Sequence, residues 1–302
     1  MNELFDKLII RAIFVALICA LIFAYKYAHS FLYPSSRLQL FKRFYPTQNP
    51  AQTLHLLARI IGVGIIFSNF HIYMANGIIV SILDFFVKSI ATFFIYLASI
   101  YIMESIVLYN FDFSDEILKR KNYAYALISF SMSITLAIII KTIASVSRDS
   151  LILLFFIWPF AIVIIGLASK SYSLVSKLPF NRLLIQGNLA LACSYSGFLW
   201  GWTLIITSSL NNSVNNLYWY SVQVVLKILL SILIYPLFKL GLQKIYLMQD
   251  ELGDANQAEI NRDLSGPSIG YGIYEGALNL TASFLTTIIA GQIDFGTFYP
   301  AF

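Results

Sequence analysis

The chain has 302 residues, of which 59% are hydrophobic and only 12% charged, with a formal net charge of +5. Soluble domains sit near about 45–50% apolar and about 25% charged. The composition therefore excludes an ordinary soluble enzyme, a disordered chain and a nucleic-acid binder, and calls for lipid as the solvent.

A membrane-crossing helix needs about 20 mostly apolar residues. In chain order the segments that qualify are Leu8–Tyr25, Leu54–Tyr73, Phe85–Tyr109, Tyr123–Ile140, Ser150–Ser169, Leu183–Leu210, Leu217–Phe238 and Ser268–Ile293. Lys7 and Arg11 ahead of the first run resemble the start of a secretory signal. Glu3 and Asp6 dilute that charge, however, and no small-x-small cleavage site follows, so the run reads as a retained first helix. Arg59 interrupts the second segment, and snorkelling to the membrane surface is the expected reading for it. Cys19 and Cys193 lie inside apolar runs, which argues against a disulfide framework. Period-two alternation is missing, so a β-barrel is not supported. The expected fold is all-α: a polytopic membrane helix bundle of about eight transmembrane helices, forming one membrane domain over residues 1–302.

Basic residues cluster on one side of these spans. The odd-numbered loops carry Lys26, Arg37, Lys42, Arg43, Lys119, Arg120, Lys121, Lys170, Lys177, Arg182, Lys239, Lys244 and Arg262, against Lys7, Arg11, Lys141 and Arg148 on the other side. Such a bias orients a membrane protein with its basic loops in the cytoplasm and here places both termini outside. The loop after Lys244 also carries Asp250, Glu251, Asp254, Glu259 and Asp263. It reads as a solvated segment or as a docking site for a cytoplasmic partner.

The even-numbered spans open alike, at Asn49-Pro50-Ala51, Asn122-Tyr123-Ala124, Asn188-Leu189-Ala190 and Gly266-Pro267-Ser268. Nine and thirteen residues beyond each opening Asn or Gly lie Ala58/Gly62, Ser131/Thr135, Gly197/Gly201 and Glu275/Asn279. Small residues one turn apart let helix backbones approach closely in lipid. The pattern reads as four parallel two-helix repeats, approximately residues 1–80, 81–147, 148–212 and 213–302. Gly197, Gly201, Gly272 and Gly276 are the expected helix-packing positions, and assembly of several copies of the chain is compatible with such faces.

Paired helices with an Asn-x-Ala-x-Ala opening and a Gly-xxx-Gly helix, as in Asn188–Gly201 and Asn122–Thr135, resemble the YjfL-like bacterial inner-membrane proteins. These are built from a repeated two-helix domain of unknown function. Ile273-Tyr274-Glu275-Gly276-Ala277 also looks like that family's last helix. The resemblance implies a bacterial inner-membrane location and a role linked to envelope stress or small-molecule traffic. It carries over no catalytic residues.

Charge inside a membrane is expensive, about 2.5–3.5 kcal/mol at a helix centre. Lys227 lies near the middle of the seventh run and Glu275 near mid-depth in the eighth, so a buried Lys227–Glu275 pair is the natural expectation. Gly272, Glu275, Asn279, Ser283 and Thr286 fall on one stripe, which must face protein or water. Glu104, and Asp84 with Lys88 four residues on, read as anchors near helix ends. Pro159 and Pro236 lie where kinks are expected. His29, His55 and His71 show no metal spacing, and no nucleophile elbow, phosphate loop or zinc-protease motif occurs. No catalytic residue, metal or cofactor is expected. Two readings of function stay open. One is a small channel or transporter for an ion or small polar solute, with Lys227, Glu275, Asn279, Ser283 and Thr286 along the path. The other is a non-transporting scaffold that recruits cytoplasmic partners.

Overall fold

The computed structural model describes residues 2–42, 46–68, 77–147, 150–176, 178–214, 216–246, 268–293 and 295. The acidic residues Asp250, Glu251, Asp254, Glu259 and Asp263 lie outside them. The regular structure of the described residues is all helical, with no strand. Eight long helices are α1 (Asn2–Leu32), α3 (Pro50–Phe67), α4 (Ile78–Val107), α5 (Tyr123–Val146), α6 (Leu151–Ser176), α8 (Leu189–Leu210), α9 (Leu217–Ile245) and α10 (Ile269–Ala290). The short helices α2 (Arg37–Lys42) and α7 (Phe180–Ile185) precede α3 and α8, and a π-helical turn, Ser114–Lys119, precedes α5.

Seven of the long helices are long and apolar enough to cross a membrane. The eighth, α10, has the length at 22 residues, but Glu275 and Asn279 lower its hydropathy. The sixth expected span, Leu183–Leu210, is split in two. Gly187 adopts φ +70°, a left-handed conformation that glycine takes without strain, and the turn it makes separates α7 from α8. The seventh is longer than its apolar run and continues past Phe238 to Ile245. Pro159 and Pro236 lie inside helices that run on through them.

Helix starts follow from their first residues. The four openings noted above supply the N-caps Asn49, Asn122, Asn188 and Ser268, and each side chain accepts the backbone N–H three residues on. That contact satisfies one of the donors a helix N-terminus leaves unpaired. Two of these caps do more. Asn49 Nδ2 donates to the Ile117 carbonyl, and Asn122 Nδ2 donates to Glu116 Oε2 and the Leu184 carbonyl, each at 2.8 Å. Each thus ties its helix to the next connection on the face where α3, α5, α8 and α10 begin, called face A below. Replacing Asn122 by Ala is expected to cost about 1–3 kcal/mol. Asn122→Asp, which keeps the cap but sets a second carboxylate oxygen against Glu116 Oε2 and the Leu184 carbonyl, should cost at least as much. Thermal unfolding in detergent checks the order.

The capped helices stand in a row, α3 against α5, α5 against α8, and α8 against α10, with α4, α6 and α9 along its flanks. Enclosure follows this order: 78% of the α8 span is buried, against 11% of α1. Small residues set the spacing within the row. A Cβ on Gly62 would strike the Tyr96 side chain, and one on Gly201 the Ser283 hydroxyl. A Cβ on Gly197 would strike the Gly276 backbone, and one on Gly272 that of Ala190. Between α5 and α8 the contacts are hydroxyl pairs, Ser131 with Ser196 at 2.7 Å and Thr203 with Thr135 at 2.9 Å.

A buried ion-pair cluster as candidate functional site

Arg59 does not snorkel. It is 1% exposed, among the largest fully buried side chains, and it sits on α3 between α4 and α5. The guanidinium donates to Glu104 Oε1 on α4 at 2.5 Å, and to the Ser129 carbonyl and hydroxyl on α5 at 2.9 and 2.7 Å. Ser129 Oγ also donates to Glu104 Oε1 at 3.1 Å. Tyr33, just past the end of α1, donates its hydroxyl to Glu104 Oε2 at 2.6 Å. Four long helices or their ends therefore converge on one carboxylate. Glu104, expected to be an anchor, instead neutralises a cation that hydrocarbon cannot solvate. Asp84 and Lys88 form the expected pair at 2.5 Å.

His55 lies one turn before Arg59 on α3 and is 0% exposed. Its Nε2 is 3.7 Å from Glu104 Oε1, beyond hydrogen-bond reach, and neither ring nitrogen has a hydrogen-bond partner. His29, Tyr33 and Phe113 pack around the ring with centroids at 5.8, 4.9 and 4.8 Å. His29 itself meets Tyr25 Oη through Nδ1 at 3.3 Å.

The expected Lys227–Glu275 pair does not form. Lys227 Nζ donates to Asn212 Oδ1 at 2.8 Å and to the Gly291 carbonyl at 3.1 Å, at the far end of α10. Gly291 lies sixteen residues beyond Glu275, roughly 24 Å along the helix at 1.5 Å per residue. Glu275 meets Lys239 instead, Nζ to Oε1 at 3.7 Å, and accepts a hydrogen bond from Ser194 on α8 at 2.5 Å. Ser194 in turn accepts from Tyr172 on α6 at 2.8 Å. The polar stripe of α10 is buried: Asn279 accepts from Tyr235 at 2.7 Å, while Ser283 and Thr286 donate to carbonyls one turn back. A double-mutant cycle should therefore show coupling of about 0.5–3 kcal/mol between Lys239 and Glu275, and none between Lys227 and Glu275. Coupling in the second pair and none in the first would reverse the assignment.

These helices define a multi-pass membrane protein made of two tandem four-helix units. The chain belongs to the family described as Domain of Unknown Function (DUF350), whose model matches it twice, over residues 3–144 and 146–289. No curated protein and no solved structure matches it.

An offset of 139 residues relates the two units. Tyr33 and Tyr172, Asn49 and Asn188, Gly62 and Gly201, Lys88 and Lys227, and Tyr96 and Tyr235 all lie 139 positions apart (172 against 33, for example). His55 then corresponds to Ser194. Counted from their caps Asn122 and Ser268, Ser129 of α5 corresponds to Glu275 of α10. Each unit thus gathers a tyrosine, a carboxylate and a cation; the tyrosines correspond, whereas the carboxylate and the cation come from non-equivalent helices, Glu104 on α4 with Arg59 on α3 and Glu275 on α10 with Lys239 on α9. The same offset sets Gln243 against Glu104, so the repeat gives no signal for that carboxylate, and charges taken one helix at a time do not reveal it either.

Proposed function

We propose that the chain is a channel or transporter for an ion or small polar solute in the bacterial inner membrane. In this reading, Tyr33, His55, Arg59, Glu104 and Ser129 form the place where a proton is taken up and released during its cycle. The observation that carries the reading is His55, fully enclosed, unbonded at both ring nitrogens and 3.7 Å from the carboxylate that pairs with the buried Arg59, a carboxylate whose side chain is 17% exposed. Buried polar groups are ordinarily partnered, and imidazole is the side chain whose ordinary proton exchange falls near neutral pH. A proton on Nε2 makes His55 a second cation competing with Arg59 for Glu104. One carboxylate is then shared between two positive groups, and the hold on Arg59 weakens. Because Arg59 bridges α3, α4 and α5, this change bears directly on how those helices pack. The second unit contributes Glu275 with Ser194 and Tyr172, and the stripe of Asn279, Ser283 and Thr286.

The basic loops on face A support a cytoplasmic placement of that face, with both termini outside. The likeness to YjfL-like proteins supports the inner membrane. Purified protein in liposomes loaded with a pH-sensitive dye tests the function. An imposed potential should drive proton entry, and His55→Phe, which keeps the ring packing, should slow entry about tenfold or more. Wild-type liposomes as tight as empty ones would overturn transport and leave the scaffold that recruits cytoplasmic partners.

A further inference from the structure

A cleft of about 540 Å³ opens on face A between the end of α6, helix α7 and the residues after α4. Lys170, Asn181 and Arg182 stand at its walls, and Tyr172, Phe180 and Tyr195 line it below. None of its described lining residues is acidic. Neither Lys170 nor Arg182 has an ion-pair partner among the described residues; Lys170 instead lies over the Tyr109 ring, 4.6 Å from its centroid. Tyr195 is 1% exposed, and its hydroxyl is buried without a hydrogen-bond partner. The three rings hold one another in place, with Tyr195 5.1 Å from Tyr172 and 5.2 Å from Phe180 between centroids.

A cavity with two uncompensated cations, an amide and an enclosed hydroxyl calls for a compact anion with several acceptor oxygens. We infer that the cleft binds a phosphate group, with Lys170 and Arg182 as its cationic clamp and the Tyr195 hydroxyl as a donor from below. Guanidinium and ammonium groups suit phosphate, and their charge-assisted bonds are the strong ones. Basic pockets between membrane helices take lipid head groups by the same chemistry, and a soluble phosphate compound presents the same oxygens. The first unit lacks the full set. The positions 139 residues earlier than Lys170 and Tyr195 are Phe31 and Leu56, which supply neither the ammonium nor the hydroxyl, although Lys42 and Arg43 stand where the second unit has Asn181 and Arg182. An occupant would also touch the start of a buried relay, because Tyr172 of the cleft donates to Ser194, which donates to Glu275. The inference stands apart from the Arg59–Glu104 cluster and does not depend on proton transport.

Two probes separate the sources. Delipidated full-length protein is titrated with phosphatidylglycerol in phosphatidylcholine nanodiscs and bound lipid is counted by native mass spectrometry. In parallel, inorganic phosphate is titrated in detergent and the unfolding temperature followed. Saturable binding of at least one probe is expected, weakened about tenfold or more in K170Q/R182Q and more mildly in Y195F, with K141Q at the opposite end of the row unchanged. Binding of the lipid alone assigns the site to a head group, and binding of inorganic phosphate to a soluble phosphate compound. No saturable binding of either probe, or wild-type binding by K170Q/R182Q, overturns the inference. The two exposed substitutions leave the core intact, so the result does not hinge on the folding of Y195F.

Discussion

Glu104→Gln is expected to lower folding stability by about 3–5 kcal/mol, because it leaves the Arg59 guanidinium buried without its counter-charge. Ser129 would still accept from Arg59, but neither oxygen of Ser129 carries a full negative charge. Tyr33 would lose a charged acceptor in the same step. Removing both charges is a different matter. A buried pair replaced by apolar groups of similar volume is often neutral in stability, so Arg59→Met with Glu104→Leu should recover most of the loss. Thermal unfolding in detergent, monitored together with monodisperse yield, measures both. If the pair serves only to hold helices, the double variant should also keep whatever flux the wild type shows. If it is the working site, stability returns and flux does not. A Glu104→Gln protein as stable as wild type would show that the carboxylate is not what neutralises Arg59.

The second large effect is expected at the α8–α10 crossing. Gly197 and Gly276 face each other so closely that a methyl on Gly197 meets Gly276 backbone atoms rather than a movable side chain. Backbone cannot rotate away, so the helices must separate along their length. Gly197→Leu should therefore cost at least the upper end of the roughly 1–3 kcal/mol typical of overpacking, with a marked loss of folded yield. Gly270 on α10 and Gly241 on the neighbouring α9 are open, with nothing within 4 Å of where a methyl would sit. Alanine at either should be neutral or slightly stabilising, since alanine is the better helix former. Equal tolerance at Gly197 and Gly270 would mean that the row is spaced by something other than its small residues.

The long helices were legible because hydropathy and capping residues act locally. Asn49, Asn122, Asn188 and Ser268 mark helix starts through a bond to a backbone group three residues away. The buried pairs were not legible in the same way. The run Leu217–Phe238 stops where the charges begin, yet α9 continues through Lys239 to Ile245. Treating Lys239 as a loop residue removed the true neighbour of Glu275 and made Lys227 look like the nearest cation. Lys227 reaches instead to the end of α10, as a long flexible side chain can. Arg59 and Glu104 are 45 residues apart on helices that no spacing rule joins, and each taken alone reads as a surface anchor. Only packing shows that their depths coincide. The family match covers two units of four long helices each, in which the caps recur, and the two-helix spacing read from the sequence would divide each of them once more.

The most direct test of the proposed role is the protonation of His55 itself. Histidine labelled with nitrogen-15 in bilayer-embedded protein, with His29 and His71 assigned by substitution, reports the state of each ring nitrogen as pH is lowered. His55 is expected to gain a proton over the same pH range in which dye-reported flux changes, and to do so differently once the Arg59→Met, Glu104→Leu double variant removes both of its charged neighbours. A His55 ring that keeps one neutral form while flux rises and falls with pH would contradict the role assigned to the cluster.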